Sequence, residues 1–351
     1  MPHDLWHFPR PALAEECLSS FAIGLIAARA FVSPSGTGKT EFLQQDLLPA
    51  ARAAGYQTAY VDLAQDRQNM EDALAAALAG AIAGVPPSGD LAVPVALTSV
   101  IRLLDSTQHP LLLVVDETQE LSLAEHSTFA HALRSHLDIR KDFIKVVFAG
   151  KVAPLMHRVF SESSAPFYHW CSLEQFPLLG VEFVEAMVAK VADLSRYPLS
   201  MREALMAFEA LDKAPAYYRR FLERYLTHAS EGAAAALDVT KKAIFQNFVY
   251  LFRWEKFLPA DQLVLEVLAT GEKDMYSVPV RKRIGQKLGL DIAPTSTVQN
   301  SLTRLRKAGH VIAVTRGEYH IEDAAFLRWI AEREQGAQPS AQPGQPEAVQ
   351  A

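Results

Sequence analysis

The ten residues Phe31 to Thr40, FVSPSGTGKT, carry the backbone and side-chain types that hold a polyphosphate. Gly36 and Gly38 reach dihedrals closed to other residues, so successive amide N–H groups can turn inward around an anion. Lys39 adds a cation for the β- and γ-phosphate oxygens, and Thr40 a hydroxyl suited to Mg²⁺. The expected nucleotide-binding residues are therefore Ser35, Gly36, Thr37, Gly38, Lys39, Thr40 and Glu41. Ser33 stands where the pattern GxxxxGK(S/T) has its first glycine, a modest cost in loop geometry. The competing reading of these ten residues is a surface turn rich in Gly, Ser and Thr.

A second chemical pair, Asp116-Glu117, directly follows the most apolar run of the chain, Leu111 to Val115. An aspartate at such a strand end can hold the Mg²⁺ shell, and a glutamate beside it can orient and polarise an attacking water. Acidic pairs at strand ends are common. The distance from the GTGKT loop, with strand and helix patterns alternating between, ties this one to the loop.

Both groups need elements to position them. The apolar run Ile23 to Val32, interrupted by Gly24 and Arg29, reads as a buried strand, and Glu41 to Ala53 has helical spacing. The glycines thus sit at a strand-to-helix turn, with the positive end of the helix toward the phosphates. Further strands are expected at Gln57 to Leu63, Leu111 to Val115 and Phe143 to Phe148, and an extended segment at Cys171 to Leu179. Helices are expected at Arg67 to Ala83, Val95 to Ser106, His126 to Arg140 and Ala153 to Ser161, and from Val181 to about Leu251, with a Pro/Gly loop at Gly84 to Asp90. This alternation predicts an α/β fold with a parallel sheet that binds ligands beyond the C-terminal ends of its strands. His126, His131 and His136 are spaced by five, which does not bring them to one face of a helix, so no metal site is expected there.

The chain of 351 residues is half hydrophobic and has room for two or three domains. A net charge of −6 excludes a surface that is basic throughout, so any nucleic-acid contact must be a local patch. Two cysteines, Cys17 and Cys171, exclude a disulfide scaffold and a cysteine-based zinc site. No apolar run approaches the roughly 20 residues that span a bilayer, and the N-terminus lacks a signal-peptide pattern. The expectation is a cytoplasmic protein without a membrane partner.

Toward the C-terminus, Asp261 to Ala269, Val278 to Leu288 and Thr295 to Ala308 read as three helices. Two short strands follow, His310 to Thr315 and Glu318 to Ile321, turning at Arg316-Gly317, which completes a winged helix-turn-helix plan. In the third helix Val298, Leu302 and Leu305 form the inward stripe, leaving Thr297, Asn300, Arg304 and Lys307 outward. Arg281, Lys282, Arg283, Lys287 and Arg316 add charge around them. Asn300, Arg304 and Lys307 are the candidate contacts to double-stranded DNA; a solvated or protein-contacting face is the other reading. Gln335 to Ala351 is rich in Gln, Pro and Ala and is expected to be a disordered tail.

From about Pro11 to Arg333 the chain resembles the AAA+ ATPases, within them the archaeal-type ATPase group and its bacterial relatives, near the STAND and origin-recognition ATPases. The stretches that carry this are GTGKTEFLQQDLLPAA, LLLVVDETQEL, VVFAGKVAPLMHRVFSESSAPFYHW and the winged-helix pattern. The resemblance implies a P-loop NTPase sheet at residues 1–180, a helical lid at 181–257, a winged helix-turn-helix at 258–333 and a tail at 334–351. It implies ATP as ligand and Mg²⁺ as cofactor, with Thr40 and Asp116 at the metal and Glu117, Lys39 and Arg158 as catalytic groups. Arg158 would act as a finger toward a neighbouring subunit of a homo-oligomer, a surface arginine being the other reading. Gly150-Lys151 replaces the family's small polar γ-phosphate sensor, and Lys213-Ala214-Pro215 replaces its Gly-x-Pro, followed by Arg219 and Arg220 as second sensors. His7 to Pro11 would close over the adenine or pack as an arm on the core. The functions implied are an ATP-driven switch that contacts DNA, a STAND-like signalling ATPase whose winged helix contacts protein, and a nucleotide-binding scaffold with negligible turnover.

Overall fold

The structure, a computed structural model, describes residues 4–65, 67, 69–83, 105, 109–245, 248–315 and 318–336. The expected loop at Gly84 to Asp90, nearly all of the helix at Val95 to Ser106, the turn with Arg316 and the tail beyond Gly336 lie outside them. The chain forms two compact units, Met1–Leu237 and Asp238–Ala351.

The first unit is built on five parallel strands, β1 (Ala28–Val32), β2 (Gln57–Asp62), β3 (Leu111–Asp116), β4 (Ile144–Gly150) and β5 (Leu173–Gln175), in the order β2-β3-β4-β1-β5. β1, β3 and β4 are buried at every position because helices cover both faces, the usual state of a parallel sheet. Side-chain alternation divides the core. Ala30, Leu113, Val115, Val146 and Phe148 pack on one face with α3 (Met70–Ala83), α4 (Ser127–Ile139) and α5 (Ala153–Phe160). Phe31, Leu112, Val114 and Val147 face α1 (Pro11–Ala22) and α2, the helix that follows the glycine loop. α2 runs Lys39–Phe42, passes through a π-helical turn at Leu43–Leu47, and resumes as α-helix over Leu48–Ala53.

Arg29, the charge within the apolar run of β1, is buried. Its guanidinium donates to both carboxylate oxygens of Glu174 on β5, at 3.1 and 2.5 Å, and to Glu16 on α1 at 3.0 Å. The pair ties the edge strand to the centre of the sheet. β1 itself starts five residues later than the hydrophobic run implies. Gly24 has φ +79°, a left-handed turn that ends α1, and Ile23 and Leu25 are 70% and 87% exposed.

Five helices follow the sheet: α6 (Val181–Leu194), α7 (Met201–Ala210), α8 (Pro215–Thr227), α9 (Ala233–Phe245) and α10 (Phe248–Glu255), with the boundary between units falling inside α9. α7 opens with a capping box, Ser200 Oγ accepting from Glu203 N–H and the Glu203 carboxylate accepting from Ser200 N–H. Phe183, Phe208, Tyr218 and Phe221 join α6, α7 and α8 through an aromatic cluster of edge-to-face and tilted pairs.

In the second unit α11 (Pro259–Ala269), α12 (Val278–Lys287) and α13 (Thr295–Lys307) precede an antiparallel hairpin, β6 (Val311–Thr315) and β7 (Glu318–Ile321). This is the winged helix-turn-helix plan. Val298, Leu302 and Leu305 lie in its core with Val264, Leu268 and Ile284. α12 passes so close to the chain entering α13 that a Cβ on Gly285 would lie 2.6 Å from Ala293 N. A further helix, α14 (Ala324–Gly336), extends into the segment read from sequence as the start of the tail. Asp323 caps it by accepting from the N–H groups of Ala325 and Phe326, and Trp329 packs on Phe326 and Trp254, burying its apolar face.

Candidate nucleotide site

The loop after β1 takes the conformation its glycines predict: Gly36 and Gly38 have φ +80° and +91°. Ser33, in place of the first glycine, acquires a use of its own. Its hydroxyl shares a 2.7 Å hydrogen bond with Thr37 Oγ1, and the Thr37 hydroxyl lies 2.9 Å from the Pro34 carbonyl oxygen. Ser33 N–H donates to Gly150 O, which fastens the loop to the end of β4. Thr37 is therefore a brace inside the loop, whereas Ser35 is exposed on its crest.

Lys39 is buried, and its ammonium group donates to Ser33 O at 2.5 Å, Ser33 Oγ at 3.1 Å and Pro34 O at 3.1 Å. The first part of the loop thus turns its oxygens onto the lysine. Burial pushes the Lys39 pKa down to about 8, with Asp116 and Glu117 opposing and Lys151 adding to the fall.

Across from it, the Thr40 hydroxyl donates to Asp116 Oδ2 at 2.7 Å, and Tyr60 OH donates to the same oxygen at 3.0 Å. Glu117 N–H donates to Asp116 Oδ1. Residues 76 positions apart in sequence thus present a hydroxyl and a carboxylate side by side. Hard oxygen donors of this number fit Mg²⁺, which keeps several waters and takes one or two protein groups plus phosphate oxygens.

Glu117 has φ +52°, a left-handed conformation that costs energy in a residue with a side chain. Its carboxylate is held by two donors on Oε2: the Gln119 side-chain amide and, at 3.3 Å, Lys151 Nζ. Gln119 is 2% exposed and also accepts from Lys151 N–H through Oε1 at 3.2 Å. Lys151 therefore lies on Glu117. Gly150 before it has no room for a side chain, since a Cβ would lie 2.3 Å from Met156 Sδ and 2.6 Å from Gln119 Oε1. Sequence reasoning missed Gln119, because a glutamine two residues after an acidic pair gives no sign of its burial.

A second set of contacts closes the opposite side of the loop. Ala216 N–H at the start of α8 donates to Gly36 O, so this helix touches the glycine loop directly. Lys213 adopts φ +52°, a conformation glycine would take without strain, and pairs with Glu209. Arg219 donates to Glu41 Oε1 at 2.7 Å, Asp4 Oδ2 at 2.8 Å and Trp6 O at 3.0 Å, whereas Arg220 is exposed. The N-terminal arm is drawn in by the same group. His7 Nδ1 lies 2.8 Å from Glu41 Oε1 and His7 Nε2 2.9 Å from Asp46 Oδ1, while Lys190 donates to His7 O. Burial alone would lower the His7 pKa, but the hydrogen bonds to Glu41 and Asp46 outweigh it and raise the pKa. A pocket opens between arm and loop, lined by Trp6, Phe8, Gly38, Phe42 and Phe183 among others.

Arg158 and Arg304 have surroundings that the spacing did not show. Arg158 is half-buried on α5 and is not without a partner. Arg304 is exposed on the outward face of α13, as its spacing predicts, and is also held by Asp261 of α11: Nη2 donates to Oδ1 at 2.6 Å and Nε to Oδ2 at 3.2 Å. Asp261 is 4% exposed, and an unpaired carboxylate at that depth is costly, so the arginine is recruited to neutralise it. Asn300 and Lys307 remain exposed. On α12, Lys287 is paired with Glu266 and Arg281 donates to Thr295.

No protein-family model matches the chain, and no curated protein matches it by sequence. Solved structures do match by fold. A Walker-type ATPase of Pyrococcus abyssi superposes with a TM-score of 0.57 at 16% identity, covering 92% of this chain and 95% of its own. The ORC1 protein of Aeropyrum pernix, solved in complex with DNA, gives 0.51 at 16% identity, covering 93% and 92%. Among the described residues no helix is long and apolar enough to cross a membrane. With the loop, the strand order and the three-helix module with its hairpin, the chain has the fold of the AAA+ P-loop ATPases, with a Walker-type ATPase and an origin-recognition protein among those it resembles.

Proposed function

We propose that the protein binds ATP and hydrolyses it as a switch, and that its C-terminal module carries the switch state to double-stranded DNA. The observation behind the ATPase reading is the meeting of Thr40 and Asp116 beside the buried Lys39. When a triphosphate enters, Lys39 exchanges the Ser33 and Pro34 carbonyls for β- and γ-phosphate oxygens. Thr40 and Asp116 would hold Mg²⁺, which when bound neutralises charge on those oxygens. Glu117 accepts a proton from the attacking water as its oxygen bonds to the γ-phosphorus. The bond from that phosphorus to the β–γ bridging oxygen breaks, and ADP leaves with phosphate. Arg158 would supply a cation in trans, in which case specific activity rises with protein concentration.

The limits that accompany this reading are a nucleotide domain at 1–180, a lid at 181–257 and a DNA-contacting module at 258–333. Exposed Asn300 and Lys307 on α13, with Lys282 and Arg283 on α12, support the DNA contact, as does the similar fold of an ORC1 protein solved on DNA. The ion pairs Arg304–Asp261 and Lys287–Glu266 favour a second reading, a STAND-like module whose winged helix contacts protein, because they withdraw charge from the face.

The test of the ATPase is phosphate release with Mg²⁺ and again with a chelator in excess. Turnover that stops with the chelator and returns with Mg²⁺ supports the assignment; no turnover with Mg²⁺ at any protein concentration removes hydrolysis from it. A DNA isotherm against salt separates the partners. Salt-dependent binding supports DNA, and none at low salt in both ATP and ADP favours the protein-contacting module.

A further inference from the structure

The chain after β3 bends so that Gln119 reaches the carboxylate two residues before it. Glu117 sits at φ +52°, and three contacts fix the bend: Glu117 N–H donates to Asp116 Oδ1, Glu120 N–H to Glu117 O at 3.1 Å, and Thr118 Oγ1 to Val115 O at 2.8 Å. A strained conformation persists only where its surroundings over-determine it. What the strain achieves is a buried amide bonded at both ends: the Gln119 NH₂ donates to Glu117 Oε2, and Gln119 Oε1 accepts from Lys151 N–H at 3.2 Å. The amide cannot turn over. A carboxylate oxygen only accepts and a backbone N–H only donates, so the reversed amide would set oxygen against oxygen and NH₂ against N–H. The main chain at the end of β4 therefore dictates how Gln119 points, and Gln119 dictates where Glu117 Oε2 lies. Glu117 is itself partly exposed, and a glutamate side chain without such a hold samples several rotamers.

We propose that Gln119 is a positioning residue for Glu117: by occupying Oε2 it leaves Oε1 as the oxygen that accepts the proton of the attacking water, and holds it in one place. The proposal rests on the reading that Glu117 serves ATP hydrolysis, and it deepens that reading by naming what orients the base. Lys151 Nζ approaches the same Oε2 at 3.3 Å, but from the end of a flexible four-carbon stem. The amide, buried and with its orientation set by two partners, is the more rigid hold. Gly150 leaves the space for it, since a Cβ there would lie 2.6 Å from Gln119 Oε1. Gln119 acts only through Glu117, so its loss should slow the chemical step and spare nucleotide binding. A residue that merely braced the turn would instead affect rate and affinity alike.

The experiment is a mutant cycle on the full chain, with single-turnover phosphate release at saturating Mg·ATP and calorimetric affinity for ADP measured for each protein. Gln119→Glu keeps the shape and the acceptor for Lys151 N–H but sets an oxygen against Glu117 Oε2. Gln119→Met keeps the length and removes the donor, and it serves if the buried carboxylate of Gln119→Glu prevents folding. Either variant is expected to slow phosphate release by at least about tenfold, the cost of a misplaced reacting group, with ADP affinity unchanged. In a Glu117→Gln background Gln119→Met should cost nothing further, because two residues that act as a unit are not additive. Release at the wild-type rate by the Gln119 variants overturns the proposal while leaving the ATPase reading intact. A loss that repeats in full in the Glu117→Gln background, or one matched by an equal loss of ADP affinity, also overturns it. Absence of Mg²⁺-dependent release by wild type overturns both readings.

Discussion

The C-terminal edge of the parallel sheet and the outer face of α13 both gather charged side chains, and they treat them in opposite ways. At the sheet, Lys39 and Asp116 are buried beside a partly exposed Glu117, held by contacts that a phosphate and a metal can replace: loop carbonyls on the lysine, a threonine hydroxyl on the aspartate. On the module, Arg304 is neutralised by a buried aspartate of its own unit. Charges kept on exchangeable partners belong to a ligand site. A charge fixed on a permanent partner belongs to the fold.

This contrast yields predictions that differ in size. Glu117→Gln should keep nucleotide affinity and cut phosphate release by more than about 10²-fold, the usual worth of a positioned base. Single-turnover kinetics check it, and a wild-type rate would remove Glu117 from the chemistry. The next effect comes from pH. Lys39 loses its proton as pH rises through about 8 in the free protein, and phosphate binding favours the protonated form, so affinity must fall on the alkaline side. From pH 7 to pH 9 the expected loss is about tenfold, accompanied by proton uptake in calorimetry. A flat profile would mean that the lysine is not the phosphate cation.

Smaller effects test the module. Asp261→Ala frees Arg304 and removes a charge-assisted pair whose arginine faces solvent, so the thermal stability of the second unit should drop by about 1 kcal/mol. Nucleotide affinity should not move. If DNA is the partner, Lys307→Ala should lower the slope of log affinity against log salt by about one. Arg304→Ala should resemble Asp261→Ala in melting more than Lys307→Ala in salt dependence.

What could be read from sequence follows the same division. The loop, the strand β3 and the acidic pair are contiguous motifs with a fixed geometry, so their order and contacts were legible in advance. Helical spacing correctly placed Val298, Leu302 and Leu305 inside, and it also put Arg304 outside; it could not show that Asp261, on another helix, reaches the same guanidinium. The apolar run from Ile23 overstated β1 because hydrophobicity does not register the left-handed turn at Gly24. α14 did carry a signal, Asp323 before an apolar-periodic stretch, which the Gln/Pro-rich composition beyond it masked. Gln119 gave none, since its place on Glu117 depends on burial and on Lys151, distant in the chain.

Titration of the wild-type protein and of Lys39→Ala with Mg·ATP in a calorimeter bears on the ligand site before anything else. The site described here requires stoichiometric binding by wild type and a loss of at least about tenfold in the variant, the value of one charge-assisted contact in a buried setting. Equal affinity in the two proteins, or no binding by wild type, would contradict it.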